Sequence, residues 1–148
     1  LKALGKVTYV GEKPGMAQSL KLANNILSAT ALVATSEAIV MGVKAGLDPE
    51  IMLQAINLGS GRNSSTLQKF PEHVLTGAFD YGAAVDILLK DVDLALAEGE
   101  AMGVPMPVCQ SVRQTIRLAK AVGGGTQDIT RIAALVATWA GTSIPKTR

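Results

Sequence analysis

The feature that most constrains the fold is a long stretch, residues 15–48, that lies between Pro14 and Pro49 and contains no proline. It includes the segment QSLKLANNILSATALVATSEAIVMG, which is mostly small and apolar after its first two turns. A continuous helix of about 30 residues would be about 45 Å long at 1.5 Å per residue. A helix that is apolar on every side has to be buried, so we expect this one to form the centre of the domain.

A membrane span is the main alternative for this stretch, because residues 26–45 are nearly all apolar. However, Glu37 lies in the middle of it, serine and threonine recur, and no cluster of basic residues flanks it. These features disfavour a bilayer-spanning helix. We therefore expect no membrane partner.

The rest of the chain also favours closely packed helices. Hydrophobic residues make up 48% of the 148 residues but aromatic residues only 3%, so the core must be built from aliphatic side chains. Asp48, Pro49 and Glu50 form a strong helix start, with aspartate as the N-cap and proline in the first turn. Shorter helices are predicted over residues 51–57, 85–102, 107–121 and 129–140. The predicted fold class is all-α, a helical bundle around one long central helix.

The N-terminal segment departs from this pattern. Residues 7–10 (VTYV) form a β-branched run between Gly5 and Gly11, which favours a strand. A single strand has no partner in an otherwise helical chain. We therefore expect residues 1–13 to be a linker and the last strand of another domain, and residues 14–148 to be a helical domain of a longer protein.

Charge and cysteine content exclude several functional classes. The net charge is +2, from 14 basic and 12 acidic residues without a basic run, so we expect no nucleic-acid partner. The lone cysteine, Cys109, cannot form an intramolecular disulfide, which favours a reducing compartment and a cytoplasmic location. No zinc-ligand spacing or Ser-His-Asp pattern is present, so no metal site is predicted, and we interpret His73, in an expected surface segment, as structural.

Two glycine-containing loops could be mistaken for ligand sites. The loop over residues 123–128 follows no predicted strand and matches no nucleotide-binding fingerprint, so we interpret it as a turn. The polar loop over residues 59–65 (GSGRNSS) has two interpretations. A flexible connector is favoured, and a lining of backbone and hydroxyl donors for an anion stays open.

Polar side chains cluster at the start of the long helix. Asn24 and Asn25 follow Lys21 by three and four residues, so an ammonium and one or two amides share one face and could meet one ligand. Apolar surroundings disfavour the charged form of an ammonium and let a lysine exchange protons near neutral pH. The structural alternative is that Lys21 extends its ammonium to solvent while the amides bridge neighbouring helices.

Two separated motifs resemble those of the β-hydroxyacid dehydrogenases, especially the 3-hydroxyisobutyrate dehydrogenase branch. The first comprises VG at 10–11, Gly15, Gln18 and KLANN at 21–25, and the second is LLKDVDLA at 88–95. The resemblance extends over nearly the whole chain. It implies the helical C-terminal domain of that family, which is similar to the C-terminal domain of 6-phosphogluconate dehydrogenase.

The resemblance also implies roles for individual residues. Lys21 matches the family's catalytic lysine, expected to act as general acid or base. Asn25 and Gln18 match substrate-binding positions. Lys90 and Asp91 match the Lys-Asp motif at the nicotinamide end of the cofactor site, with Asp91 as an orienting partner.

Further expectations follow for the whole protein. The resemblance implies an NAD or NADP cofactor, bound mainly by an N-terminal Rossmann domain that this chain lacks, so the chain alone should be inactive. It implies a small hydroxyacid substrate and a homodimer or homotetramer. Three positions depart from the family pattern: Met16 and Ala17 replace the usual Ser-Gly, and Ala83 replaces an aromatic residue, which enlarges the expected pocket.

Two hypotheses from different classes result. The first is the catalytic-lysine domain of an NAD(P)-dependent 3-hydroxyacid dehydrogenase, which oxidises a small 3-hydroxyacid or reduces the corresponding aldehyde. The second is a noncatalytic helical dimerisation module, based on the long apolar helix.

Overall fold

The computed structural model describes residues 5–144, and within them it contains helices but no strand. The all-α prediction is therefore confirmed. One pair of residues, Ala84 and Asp128, forms an isolated antiparallel bridge. The helices are α1 (Met16–Lys44), α2 (Pro49–Leu58), a π-helix (Ser65–Val74), α3 (Val85–Ala101), α4 (Pro107–Gly123) and α5 (Arg131–Trp139).

Helix α1 is the centre of the fold, as its sequence predicts. It packs against all the other helices named above, most extensively against α3 and α5. Leu32 and Ile39, in its middle, are fully buried. By length and composition alone α1 could cross a membrane, but half of its most apolar window is buried inside the fold. This burial is the arrangement that a core helix requires.

The junction between α1 and α2 follows from local sequence. Gly46 has a φ of +86°, and the amide of Leu47 donates to the carbonyl of Gly42 at 3.0 Å, so α1 ends in a Schellman motif. Asp48 then caps α2 as predicted, since its Oδ1 accepts from the amides of Glu50 and Ile51 at 2.8 and 3.1 Å.

Sequence analysis did not predict the π-helix. It contains Pro71, and a proline inside a helix removes a donor. In the i→i−5 pattern of a π-helix the carbonyl that loses its donor is that of Thr66, and Asn57 Nδ2 donates to it instead at 3.1 Å. Asn63 caps the first turn by accepting from the amides of Ser65 and Thr66.

Helices α3, α4 and α5 agree with the predicted segments to within two residues at each end. The largest shifts are two residues, at the end of α4 and at the start of α5. Helix α5 begins at Arg131 because Asp128 and Ile129 are held in a turn. Asp128 Oδ1 accepts from the amide of Thr130 at 2.9 Å, and Oδ2 accepts from the amide of Gly82 at 2.8 Å. Asp128 thus ties the segment before α3 to the segment before α5.

The N-terminal segment is described from Gly5 onward. Residues 6–11 lie in neither a helix nor a strand, and Val7 and Tyr9 are exposed. Between Gly5 and Ile144 no strand lies beside this segment. The assignment of residues 1–13 to a linker and strand therefore stays a prediction, and residues 1–4 lie outside the described range.

We expect Asp128→Ala to lower the free energy of unfolding by about 1–3 kcal/mol, because amides in two segments lose their acceptor. Burial raises the pKa of Asp128, but hydrogen bonds from Thr130, Gly82 and Ala83 outweigh this and lower it. The stabilisation is therefore present above the usual pKa of 3.8 and is lost as pH falls through the lowered, folded-state value.

Urea unfolding at several pH values measures this effect. The stability difference between wild type and Asp128→Asn should narrow below about pH 4. Glu12→Ala, at an exposed position, is the control and should change stability by less than about 0.5 kcal/mol. A difference that stays constant with pH would show that the charge of Asp128 is irrelevant.

Candidate active site

The N-terminal turns of α1 extend beyond the packed core. Residues 12–21 are all exposed, and Leu22 is the first buried residue of the helix. Gly15 precedes α1 with a φ of +92°, a conformation that favours glycine. This end of the helix can therefore present polar side chains while its middle stays buried.

One face of these turns carries the predicted polar residues. Gln18, Lys21, Asn25 and Ser28 follow each other at spacings of three or four residues, so they lie along one side of the helix. Gln18 and Lys21 are exposed, whereas Asn25 and Ser28 are half-buried. We call this set the α1 polar stripe.

Helix α3 brings a carboxylate to the stripe. Asp91 is only 9% exposed, and its Oδ2 accepts a hydrogen bond from Asn25 Nδ2 at 2.8 Å across 66 residues of sequence. Its Oδ1 lies 2.9 Å from Lys90 Nζ. The two motifs found in the sequence are therefore in direct contact.

The charge of Asp91 is stabilised by its neighbours. The hydrogen bond from Lys90 is the main cause of a lowered pKa; burial opposes it, and the Asn25 hydrogen bond and the positive charges of Lys90 and Lys21 add to the lowering. Asp91 is thus a buried anion that accepts hydrogen bonds from the Asn25 amide and the Lys90 ammonium. It also interacts electrostatically with the charge of Lys21.

The structure brings four of the five predicted site residues together: Lys21, Asn25, Lys90 and Asp91. Gln18 lies two turns before Asn25 on the same stripe, and its side chain has no hydrogen bond within residues 5–144. Lys21 is exposed, so the apolar surroundings expected for its ammonium are not supplied by the described part of the chain. The roles of these residues stay predictions.

Two further polar residues were missed: Ser28, which belongs to the stripe, and Lys69, which lies beside it. Lys69 of the π-helix donates from Nζ to Ser28 Oγ at 3.2 Å, across 41 residues of sequence. Ser28 could have been found because it continues the spacing of Lys21 and Asn25. Lys69 gives no such signal, since a lysine in the polar segment LQKFPE is ordinarily exposed.

Lys69 is in fact buried. It is 2% exposed, and its Nζ lies 3.5 Å from Ser64 Oγ and 4.9 Å from the centre of the Tyr81 ring. Burial lowers the pKa of this ammonium.

His73 lies near Lys69 but has a different environment. Its Nδ1 is 2.7 Å from Asp80 Oδ1, and its ring meets the Tyr81 ring edge-on at 5.4 Å. The side chain is 18% exposed and belongs to the π-helix, beside the exposed Pro71 and Glu72, so this segment lies partly at the surface, as expected. These contacts fix the loop after the π-helix, as the structural interpretation requires.

The donors at Asp91 suit an acceptor-rich ligand. Lys90 is 61% exposed in its side chain and Lys21 is exposed, so each ammonium keeps donors free for oxygen atoms of a ligand. Carboxylate, hydroxyl and carboxamide oxygens of a ligand fit this set of donors. No group of three metal-ligating side chains occurs in the stretch from Gly5 to Ile144.

The arrangement of these helices matches that of a solved structure. The crystal structure of 3-hydroxyisobutyrate dehydrogenase from Salmonella typhimurium matches 88% of this chain with a TM-score of 0.79 and 24% identity. The match covers 46% of that protein. This similarity shows a shared fold.

Sequence comparison gives the family. A family model described as NAD-binding of NADP-dependent 3-hydroxyisobutyrate dehydrogenase matches residues 15–136. The chain therefore belongs to this family, and the resemblance found in its motifs is confirmed.

Two curated relatives are similar over most of the chain. It is 33% identical over 132 residues to 2-(hydroxymethyl)glutarate dehydrogenase of Eubacterium barkeri, covering 89% of this chain and 44% of the relative. It is 29% identical over 124 residues to L-threonate dehydrogenase of Cupriavidus necator, covering 84% of this chain and 41% of the relative. The chain thus spans less than half the length of these relatives.

The lowered pKa of Asp91 predicts how the Asn25 amide responds to acid. Its side-chain NH₂ resonances should stay constant as pH falls to about 4 and move only below that, when Asp91 is protonated and becomes a weaker, neutral acceptor. NMR with ¹⁵N-labelled protein measures this directly. In Asp91→Asn the same resonances should not titrate, and movement near pH 5 or above in the wild type would contradict the prediction.

Proposed function

We propose that this chain is the helical domain of an NAD(P)-dependent oxidoreductase that acts on a small 3-hydroxyacid, with Lys21 as general acid and base. The observation that carries the proposal is the contact of Asp91 with both Asn25 and Lys90, close to the exposed Lys21. We further propose that the chain is inactive without a cofactor-binding domain, because it spans only 44% and 41% of the two dehydrogenases to which it is similar.

The chain's own residues bind the substrate and move a proton. In oxidation, Lys21 Nζ takes the proton of the substrate hydroxyl, and in reduction it returns a proton to the carbonyl oxygen. Asn25 uses one amide N–H to reach Asp91 and has a second for a substrate oxygen. A bound nicotinamide cofactor supplies the hydride acceptor or donor.

Asp91 acts through its neighbours. It fixes the orientation of the Asn25 amide and draws Lys90 toward the cluster, so both donors are held before a ligand arrives. We propose that Lys90, with 61% of its side chain exposed, meets the cofactor. Closure of a second domain over Lys21 would supply the apolar surroundings that the described residues do not.

The substrate class rests on the family and its relatives. The printed names of the two relatives describe dehydrogenases of 2-(hydroxymethyl)glutarate and L-threonate, both small hydroxylated carboxylic acids. The three donor groups of Lys21, Asn25 and Gln18 suit a hydroxyl and a carboxylate on one small molecule. A small hydroxyacid therefore fits the site better than a large apolar ligand.

Lys21→Met in the protein that joins this chain to its cofactor-binding domain should lower kcat by roughly 100-fold or more, because the proton at the substrate oxygen loses its donor and acceptor. Turnover of small 3-hydroxyacids with NAD and with NADP measures this. Lys44→Met, at the opposite end of α1, is the matched control and should keep wild-type kcat. Near-full turnover in Lys21→Met would exclude the proposed role.

A folded wild type that turns over no hydroxyacid would favour the second candidate, a noncatalytic dimerisation module. One observation supports self-association of the chain under both the catalytic and the noncatalytic hypothesis. Helix α1 leaves an exposed, mainly apolar stripe at intervals of seven residues, formed by Leu20, Leu27, Ala34 and Met41. We propose that this stripe packs against a second copy in a homodimer, or within a homotetramer.

Leu27→Glu should shift this assembly toward monomer, because a charge would be placed in the middle of the apolar contact. Sedimentation at micromolar concentration measures the mass, and Leu118→Glu, at an exposed position on α4, serves as control. A wild type that sediments as a folded monomer would reject the assembly.

A further inference from the structure

Lys69 is a buried charge without a counter-charge. It is 2% exposed, and no carboxylate oxygen within residues 5–144 lies within 4 Å of its Nζ. Lysine is almost never fully buried in folded proteins unless it is paired. A lysine retained in this environment needs an explanation other than packing.

The groups around Lys69 are neutral. Its Nζ meets the hydroxyls of Ser28 and Ser64 at 3.2 and 3.5 Å, and the face of the Tyr81 ring lies beneath it. An ammonium has three donors, and only two are used by these contacts. Each serine hydroxyl can also rotate to donate to an incoming oxygen. The three residues thus offer several donors and one positive charge to a single anion.

The location of this cluster links it to the candidate active site. Ser28 follows Asn25 on the α1 polar stripe by about one helical turn, which is about 5 Å along the helix axis. Ser64 is exposed and Ser28 is half-buried, so the cluster can be approached from the side of the two hydroxyls. A ligand held at Asn25 could therefore reach Lys69 with a chain of a few carbon atoms.

The π-helix is what places Lys69 there. Ser64 and Lys69 are five residues apart, so the i→i−5 winding stacks the serine next to the lysine. π-Helical turns are rare and occur frequently at functional sites. The same element carries Phe70, which is fully buried and holds the helix against the core.

We propose that Lys69, Ser28 and Ser64 form a subsite for a second carboxylate of the substrate, so that the preferred substrates are hydroxydicarboxylates. This inference rests on the proposed function, because it assumes that the reacting end of the same molecule is bound at Lys21 and Asn25. No covalent step is involved: the subsite binds one carboxylate and positions the other end of the molecule.

The test compares two substrates in the protein that contains the cofactor-binding domain. Lys69→Met should raise KM for 2-(hydroxymethyl)glutarate roughly 10- to 100-fold, the range expected for losing a charged hydrogen bond, and leave kcat nearly unchanged. KM for the monocarboxylate 3-hydroxyisobutyrate should stay within about threefold. Lys44→Met is the control and should change neither KM. Equal losses on both substrates would overturn the proposal.

Thermal stability provides a second measurement, in which Lys69→Met should improve the protein although it weakens binding of the dicarboxylate. Replacing an unpaired buried charge with methionine should raise the melting temperature of Lys69→Met by a few degrees. A structural lysine would give the reverse, a lower melting temperature with impaired turnover of both substrates. The double variant Ser28→Ala, Ser64→Ala keeps the lysine and should raise only the dicarboxylate KM, which tests the subsite if Lys69→Met folds poorly.

A direct binding experiment separates this inference from the proposed function. If the wild type oxidises neither substrate, glutarate and butyrate can be titrated into the protein and followed by NMR at Ser28, Ser64 and Lys69. Saturable shifts with glutarate that are absent with butyrate and lost in Lys69→Met would support the subsite while the dehydrogenase proposal fails. No response to glutarate at these residues would overturn the subsite.

Discussion

The burial of helix α1 is the constraint on which the rest of the structure depends. Its apolar middle can be removed from water only if helices cover it on several sides, and the other helices of the described chain do so. Because α1 is longer than the core, its first turns extend past the helices that pack against it. The same element is therefore a buried scaffold at one end and a polar surface at the other.

A buried charge orients the side chains of this polar surface at the start of α1. Asp91 is buried at the contact between α1 and α3, and a buried carboxylate has to be satisfied by donors. It obtains them from Asn25 and Lys90, so satisfying one anion also orients an amide and an ammonium. Lys69 is the reverse case, a buried cation with only hydroxyls and a ring beside it. Such a group costs stability, which the surrounding apolar packing of the domain offsets.

The regular elements could be predicted where their boundaries are chemically marked. Asp48 and Pro49 mark the start of α2 and Pro107 that of α4, and these signals act through local hydrogen bonds and fixed φ. The π-helix could not be predicted, because Pro71 argues against a helix. The carbonyl of Thr66, which Pro71 leaves without a donor, instead accepts a hydrogen bond from Asn57 of α2. The start of α5 was displaced for a similar reason, since Asp128 bonds to the segment before α3.

The sequence by itself determined the all-α class, the central helix and the alignment of Gln18, Lys21 and Asn25 on one face, because these depend on composition and on the 3.6-residue period. The motifs added the family, which the comparisons confirm. Only the tertiary structure decided that Asn25 meets Asp91 and that Lys69 is buried against Ser28. Helical period relates residues within one helix, whereas contacts across 66 and 41 residues depend on how separate helices pack.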